Sequence, residues 1–416
     1  MSAALELQRL GIEYRVFEKC AAAGGLATTR VEGEWRFDHT GHLLHLRDAT
    51  WQTRILSWLD EEPLLIDRRS LIFTHGCYTR YPFQANTHGL PPQVAYDCLM
   101  GFIRARMAPQ AAAPKNFEDY CRRHFGEGIS EHFMLPYNER LWGVPAREIT
   151  TDWCDRFVPM PTLEDVAAGA VGLDRTALGY NAKFYYPRLG IGELSKALQR
   201  RVRRLVFNQA PRHVDLRNRR VEFDNESVTY DVLINTAPLP KWLDLSGELP
   251  DGVQSARRAL RCSHLWYLDV GLARPPGIDA HWVYVPEAKY PFYRVGSYSQ
   301  FSSALIPEGH GSLYVELASR QEPDLARILP EVQRGLREMN IIACDDDVEF
   351  ARLRKIDFAY VIYDEAYARS LDTIRTFLTA AKVISTGRYG GWNYSAMEDA
   401  LRFGEEAALN AWELLK

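Results

Sequence analysis

The chain has 416 residues, 46% hydrophobic and 25% charged, with a formal net charge of −4. That length buries a large core and divides into two or three domains, and a mildly acidic balance without a basic stripe excludes a nucleic-acid binder. Seven cysteines with no C-x-x-C pair, no apolar run near the length of a membrane span and no secretory leader point to a reducing, cytoplasmic setting without disulfides or structural zinc.

Residues 3–10 make an amphipathic helix stopped by Gly11, and residues 12–17 alternate as a β-branched and aromatic strand that ends in Glu18. This is the second half of a dinucleotide-binding βαβ unit, where an acidic residue at the tip of the second strand holds a ribose hydroxyl pair. The first strand and its G-x-G-x-x-G loop belong before it, whereas Met1 already lies inside the helix. Cofactor affinity is therefore expected to be weakened. Gly24, Gly25 and Leu26 open a second glycine turn that can pass close to a pyrophosphate. Three histidines, His39, His42 and His45, follow within FDHTGHLLH, where Gly41 lets the backbone approach a ring.

Residues 91–133 have a helical pattern, broken by Pro109 and Pro114, and Arg200-Arg201-Val202-Arg203-Arg204 reads as a solvated helix end. From 205 to 237 the pattern changes to short strands, the last of which (232–237) is a buried, parallel-type strand rejoining the dinucleotide domain. Further strands fill 262–363 around one helix near 324–339. An apolar strand at Val383 and Ile384 then enters Gly387-Arg388-Tyr389-Gly390-Gly391, with a helix starting near Ser395. A strand, a glycine turn and a helix N-terminus present N–H groups and a positive dipole end to an anion, and Arg388 adds a cation.

These elements predict a mixed α/β fold. A discontinuous Rossmann-like FAD-binding domain (1–45, 200–260 and 380–416) is interrupted by a helical insertion (85–180). An antiparallel sheet domain for the substrate takes 46–84, 181–199 and 261–379. No Ser-His-Asp order, H-E-x-x-H or paired-carboxylate motif is present, and no metal site is expected.

Several motifs, in order, carry a resemblance: GGLATT, FDHTGHLLH, YTRYPFQAN, PYNERLWGVP, WCDRFVP, NAKFYYPRLGIGEL, VYVPEAKYPFYR and GRYGGWNY. Together they resemble the UDP-galactopyranose mutases, especially the eukaryotic-type branch, within the FAD-dependent amine oxidase and protoporphyrinogen oxidase-like superfamily. The resemblance implies that Arg156 and Arg294 clamp the substrate pyrophosphate, with Tyr284, Tyr360 and Tyr394 donating hydroxyls to the same phosphates. It implies that Tyr81, Phe83, Gln84, Asn138, Trp142 and Asn181 line the nucleotide pocket, and that His42 sits against the flavin. Glu18, Gly24, Gly25, Leu26, Gly41, Gly387, Arg388, Gly390 and Tyr394 fall on the cofactor side. Taken singly, a lone arginine is more often a surface or structural residue, and Phe83 and Trp142 read equally as core aromatics; Tyr78 and Trp153 are assigned to packing.

The implied reaction is a pyranose–furanose ring contraction of a UDP-sugar, in which reduced FAD attacks the anomeric carbon through N5 and expels UDP. A homo-oligomer is compatible with this. The alternatives are an amine-oxidase-type flavin oxidoreductase, or a non-catalytic nucleotide-sugar binder that has lost flavin. Two departures from the mutase pattern stand out. Thr40 occupies a position where the family carries glycine, and is expected to restrict the histidine loop because threonine avoids positive φ. Glu398 lies where a polar amide is usual near the sugar, which points to a different sugar or substrate.

Overall fold

The structure, a computed structural model, describes residues 1–109, 112–173 and 182–416. It has the mixed α/β architecture expected from the sequence, with a Rossmann-like part, a helical insertion and a large sheet. The sheet has seven strands in the spatial order Val348–Val361, Cys262–Leu272, Gly311–Leu317, Phe292–Ser297, Trp282–Tyr284, Ser70–Thr74 and Cys77–Arg80. Its neighbours are antiparallel except for Trp282–Tyr284, which runs parallel to Ser70–Thr74. The sheet is therefore mixed rather than antiparallel throughout. A parallel pair needs a long crossover connection, and the helical insertion lies between these two strands in the chain.

The insertion contains helices Pro92–Met107, Phe117–Ile129, Leu135–Trp142 and Leu163–Val171, the first two separated by the Pro109 and Pro114 break. One apolar cluster joins it to the sheet, with Phe83, Phe102, Phe125 and Trp142 packed together with Tyr267, Tyr293 and Tyr360. Helix Leu163–Val171 comes close to the turn Phe83–Ala85, because a Cβ on Gly169 would lie 1.9 Å from the Ala85 carbonyl oxygen. The His88 N–H also donates to the Gly169 carbonyl at 2.8 Å. Gly169→Ala must push that backbone contact apart, at a cost of about 1–3 kcal/mol. A urea melt showing no loss of stability would contradict this packing.

In the Rossmann-like part, Val16–Phe17 runs parallel to Leu205–Val206, and Leu233–Asn235 runs parallel to Val383–Ser385. The strand expected over 12–17 is short because Val16 and Phe17 alone find ladder partners. Helix Ser2–Arg9 packs on the C-terminal helix Met397–Leu415 through Leu7, Ala408 and Ala411. The glycine segment after Ser385 winds into one helical turn, Gly387–Gly390, entered through Gly387 at φ +78°. Gly390 presses on the end of the neighbouring strand, where a Cβ would lie 2.4 Å from the Asn235 carbonyl oxygen.

Among the described residues no helix is long and apolar enough to cross a membrane.

Candidate active site

The sheet, the helical insertion and the C-terminal glycine turn converge on a wall of aromatic rings. Tyr284 touches Tyr81 (centroids 5.3 Å apart), Tyr137 (5.1 Å) and Phe133 (6.4 Å). Trp142 meets Tyr360 at 5.6 Å and Tyr394 at 6.1 Å, and those two tyrosines lie 5.8 Å apart. Burial pushes the Tyr81, Tyr137, Tyr314 and Tyr360 phenols upward in pKa, so they remain protonated hydroxyls able to donate.

Two guanidinium groups stand at the ends of this wall. Arg294, on the strand Phe292–Ser297, donates to Glu316 at 2.5 Å and to the Tyr360 hydroxyl at 3.2 Å. Glu316 is fully buried on the neighbouring strand, and the Arg294 side chain is 18% exposed. Burial works to lower the Arg294 pKa, but Glu316 together with the surrounding tyrosines outweighs it and the net shift is upward. Arg156, in the short helix Cys154–Phe157, lies over the Phe157 ring at 5.0 Å, and Phe157 meets Tyr394 at 4.7 Å. Its Nη2 donates to Asp399 Oδ2 at 2.5 Å, while Asp399 Oδ1 accepts from Arg47 at 2.6 Å. A run of rings, Phe157–Tyr394–Tyr360, thus connects one arginine to the other, and each arginine is steered by an acidic side chain.

Glu316 and Asp399 were not singled out by sequence reasoning. The signal for Glu316 was a lone carboxylate in SLYVEL, an otherwise apolar strand buried along its whole length, which requires a cation beside it. Asp399 caps its own helix by accepting from the Ala396 N–H at 2.8 Å, but nothing local marked it as a partner of the two arginines, which lie over 200 residues away.

The histidine loop packs against Tyr314 of the strand Gly311–Leu317, which pairs with the strand bearing Arg294. A Cβ on Gly41 would come within 2.4 Å of the Tyr314 hydroxyl, so only glycine fits there without a shift. Thr40 takes φ +62° with its side chain buried, contrary to the expectation that threonine would avoid this region. Packing around the loop over-determines the backbone and holds the strain. His42 Nδ1 is buried with no hydrogen-bond partner among the described residues, and the charges of Arg388 and Arg294 both reach the ring. Buried Trp142 Nε1 and Arg294 Nε are likewise unpartnered. An unpaired buried polar atom is costly unless a ligand satisfies it, which suits a flat polar ring beside Gly41 and His42.

The remaining predicted residues fall into two groups. Arg388 donates to the Ala359 and Ser395 carbonyls at 2.7 and 3.0 Å and lies over the Tyr394 ring, so it ties these segments together while remaining near His42. Glu18 ends its strand with a carboxylate accepting from Cys20 N–H at 2.8 Å. Gly24 lies against Ser195, and Leu26 against the core that holds Tyr81 and Tyr394. Gln84 and Asn138 are buried, with their amide nitrogens donating to the Pro159 carbonyl at 3.0 Å and the Met134 carbonyl at 2.7 Å. Phe83 and Trp142 are core aromatics by burial, and Trp142 also faces the tyrosines of the wall. Tyr78 and Trp153 are packing residues: the Tyr78 hydroxyl donates across the fold to the Met339 carbonyl, and Trp153 Nε1 donates locally to the Thr150 carbonyl. Asn181 lies outside the described residues. Glu398 is buried and accepts from the Arg47 backbone N–H at 2.6 Å, so its carboxylate holds the start of helix Ala49–Leu56.

Four histidines are held neutral by burial first and by neighbouring arginine charge second. His39 is pushed down to about 3, and His42, His45 and His281 to about 4. The unfolded chain protonates these groups near 6.5 and so binds more protons below that pH, and their contribution to stability is lost as pH falls from about 6.5 towards 4. Asp38 and Asp269, both raised to about 6 by burial, act in the opposite sense between about 4 and 6. The histidines are more numerous and more strongly shifted. The melting temperature is expected to fall between pH 7 and 4.5, and a rise would contradict the neutral, buried assignment.

A family model described as an NAD(P)-binding Rossmann-like domain matches residues 1–59. The chain is similar to a UDP-galactopyranose mutase solved in its reduced form, with 26% identity, a TM-score of 0.94, and coverage of 99% of this chain and 93% of that one. A protein described as a protoporphyrinogen oxidase from an Exiguobacterium species shares 14% identity at a TM-score of 0.75, covering 99% of this chain and 96% of that one. A putrescine oxidase with putrescine bound shares 13% identity at a TM-score of 0.65, covering 99% and 96%. The last two likenesses show the fold alone. The resemblance read from the motifs thus extends through the whole fold.

Proposed function

We propose that this protein is a flavin-dependent isomerase that interconverts the pyranose and furanose forms of a UDP-bound sugar. The observation that carries the reading is the pair of steered guanidinium groups, Arg156 and Arg294, at the two ends of one aromatic wall. A diphosphate bridge carries two negative charges, and the planar fork of arginine matches phosphate oxygens bidentately. The 26% identity to a UDP-galactopyranose mutase over nearly both chains supports the same reading.

Gly41 and His42 would hold a reduced flavin, which would supply a nucleophile for the anomeric carbon. The protein's own residues bind and orient. Arg156 and Arg294 hold the diphosphate as it leaves and returns, and Tyr360 and Tyr394 offer hydroxyls to its oxygens. The aromatic wall excludes water from the reacting carbon, and neutral His42 presents an uncharged ring to the cofactor. Positioning and charge stabilisation, rather than a dedicated acid–base pair, supply the rate.

The test is to supply FAD, reduce with dithionite and incubate with UDP-galactopyranose or its furanose isomer. Chromatography is expected to show interconversion without oxygen uptake. Oxygen-consuming oxidation of a C–N or C–C bond, with no isomer formed, would favour the oxidoreductase reading instead. UDP binding by a protein that takes up no flavin would favour a non-catalytic binder.

A further inference from the structure

We propose that His75 and His132 form a two-histidine site for a divalent transition-metal ion of the zinc, nickel and copper class. His75 occupies the turn between strands Ser70–Thr74 and Cys77–Arg80, and His132 occupies the π-helical turn Ser130–Met134. Their Nε2 and Nδ1 atoms lie 3.1 Å apart, with the ring planes at 72°. Two imidazole nitrogens at about 2.0–2.1 Å from one ion, at tetrahedral or octahedral angles, are separated by roughly 2.8–3.4 Å. The observed separation falls within that range.

Three further features support the site. His75 is exposed, so an ion can reach the pair from solvent. It sits at φ +52°, a conformation uncommon outside glycine, and π-helical turns such as that of His132 recur at functional sites. The carboxylates of Asp97 and Glu131 lie close enough for their charge to reach His132.

No group of three ligating side chains occurs among the described residues, so water completes the coordination and the ion binds reversibly. Its place in the fold gives it a consequence. The hairpin runs directly into Tyr81 and Gln84, and the π-helical turn runs directly into the helix bearing Asn138 and Trp142. A bound ion ties together the two elements that frame the proposed nucleotide pocket.

The same 3.1 Å separation also fits a plain N–H···N hydrogen bond, and metal titration distinguishes the two. The full chain, stripped with EDTA and dialysed, is titrated with NiCl2 by calorimetry, with thermal melts in parallel. The expected result is a saturable, one-equivalent isotherm and a raised melting temperature. His75→Asn, which tolerates the left-handed turn, and His132→Gln are each expected to weaken binding by at least about tenfold. Absence of nickel binding, or unchanged affinity in the folded His75→Asn variant, would overturn the proposal. If His132→Gln does not fold, the His75→Asn comparison alone decides.

Discussion

Replacing Arg294 with alanine is expected to destabilise the fold by about 3–5 kcal/mol and to weaken UDP binding by about 2 kcal/mol or more, roughly 30-fold. The two effects have different origins. Glu316 is fully buried, and its carboxylate accepts from Arg294 at 2.5 Å; removing the guanidinium leaves an uncompensated charge between two strands. That is a folding effect, and on its own it would mimic the loss of a ligand contact. The double variant Arg294→Met with Glu316→Leu separates them. Replacing both members of a buried pair by apolar groups of similar volume is often neutral, so stability is expected to return to within about 1–2 kcal/mol of the parent. UDP affinity is expected to stay lost. Urea melts and calorimetric UDP titration measure the two quantities, and recovery of UDP affinity in the double variant would mean that Arg294 is purely structural.

Trp142→Ala is expected to cost about 3–5 kcal/mol, as for a large aromatic removed from a packed core. The indole is 2% exposed and lies against Trp153 at 5.3 Å as well as Tyr360 and Tyr394. A cavity there slackens the wall between the two arginines, so the alanine variant cannot distinguish packing from contact. Trp142→Phe can. It keeps one aromatic ring in the wall and removes, with part of the indole, the Nε1–H, a buried donor without a partner among the described residues. Stability is expected to change by less than about 1.5 kcal/mol, while ligand affinity falls by about 1 kcal/mol. An unchanged UDP affinity in Trp142→Phe would assign this residue to the core alone.

Local chemistry made much of the architecture legible. The helix before Gly11, the Pro109 and Pro114 break, the strand read over 232–237 (Leu233–Asn235 in the structure) and the C-terminal helix all follow from periodicity and stop signals close by in sequence. The seven-stranded order was not legible, because a parallel pairing between Trp282–Tyr284 and Ser70–Thr74 depends on a crossover of some 200 residues. The short strand Val16–Phe17 illustrates the same point, since its length is set by the partner Leu205–Val206 rather than by its own alternation.

For the site, residue types in motifs identified the arginines and tyrosines, while their steering groups came from distant segments. Asp399 acts on Arg47 and Arg156 across the fold. Glu398, its neighbour in sequence, turns instead to the Arg47 backbone, so adjacency in a motif did not predict shared work. Thr40 shows the limit of propensity. Its left-handed backbone is locally unfavourable and exists because Tyr314 and the buried surroundings leave the loop no other course.

The most direct measurement is a crystal structure of the protein with UDP bound. The account predicts the diphosphate in contact with the guanidinium groups of both Arg156 and Arg294, against the ring of Tyr394, with the sugar-proximal end towards His42. UDP held by only one of these arginines, or in another cleft, would contradict it.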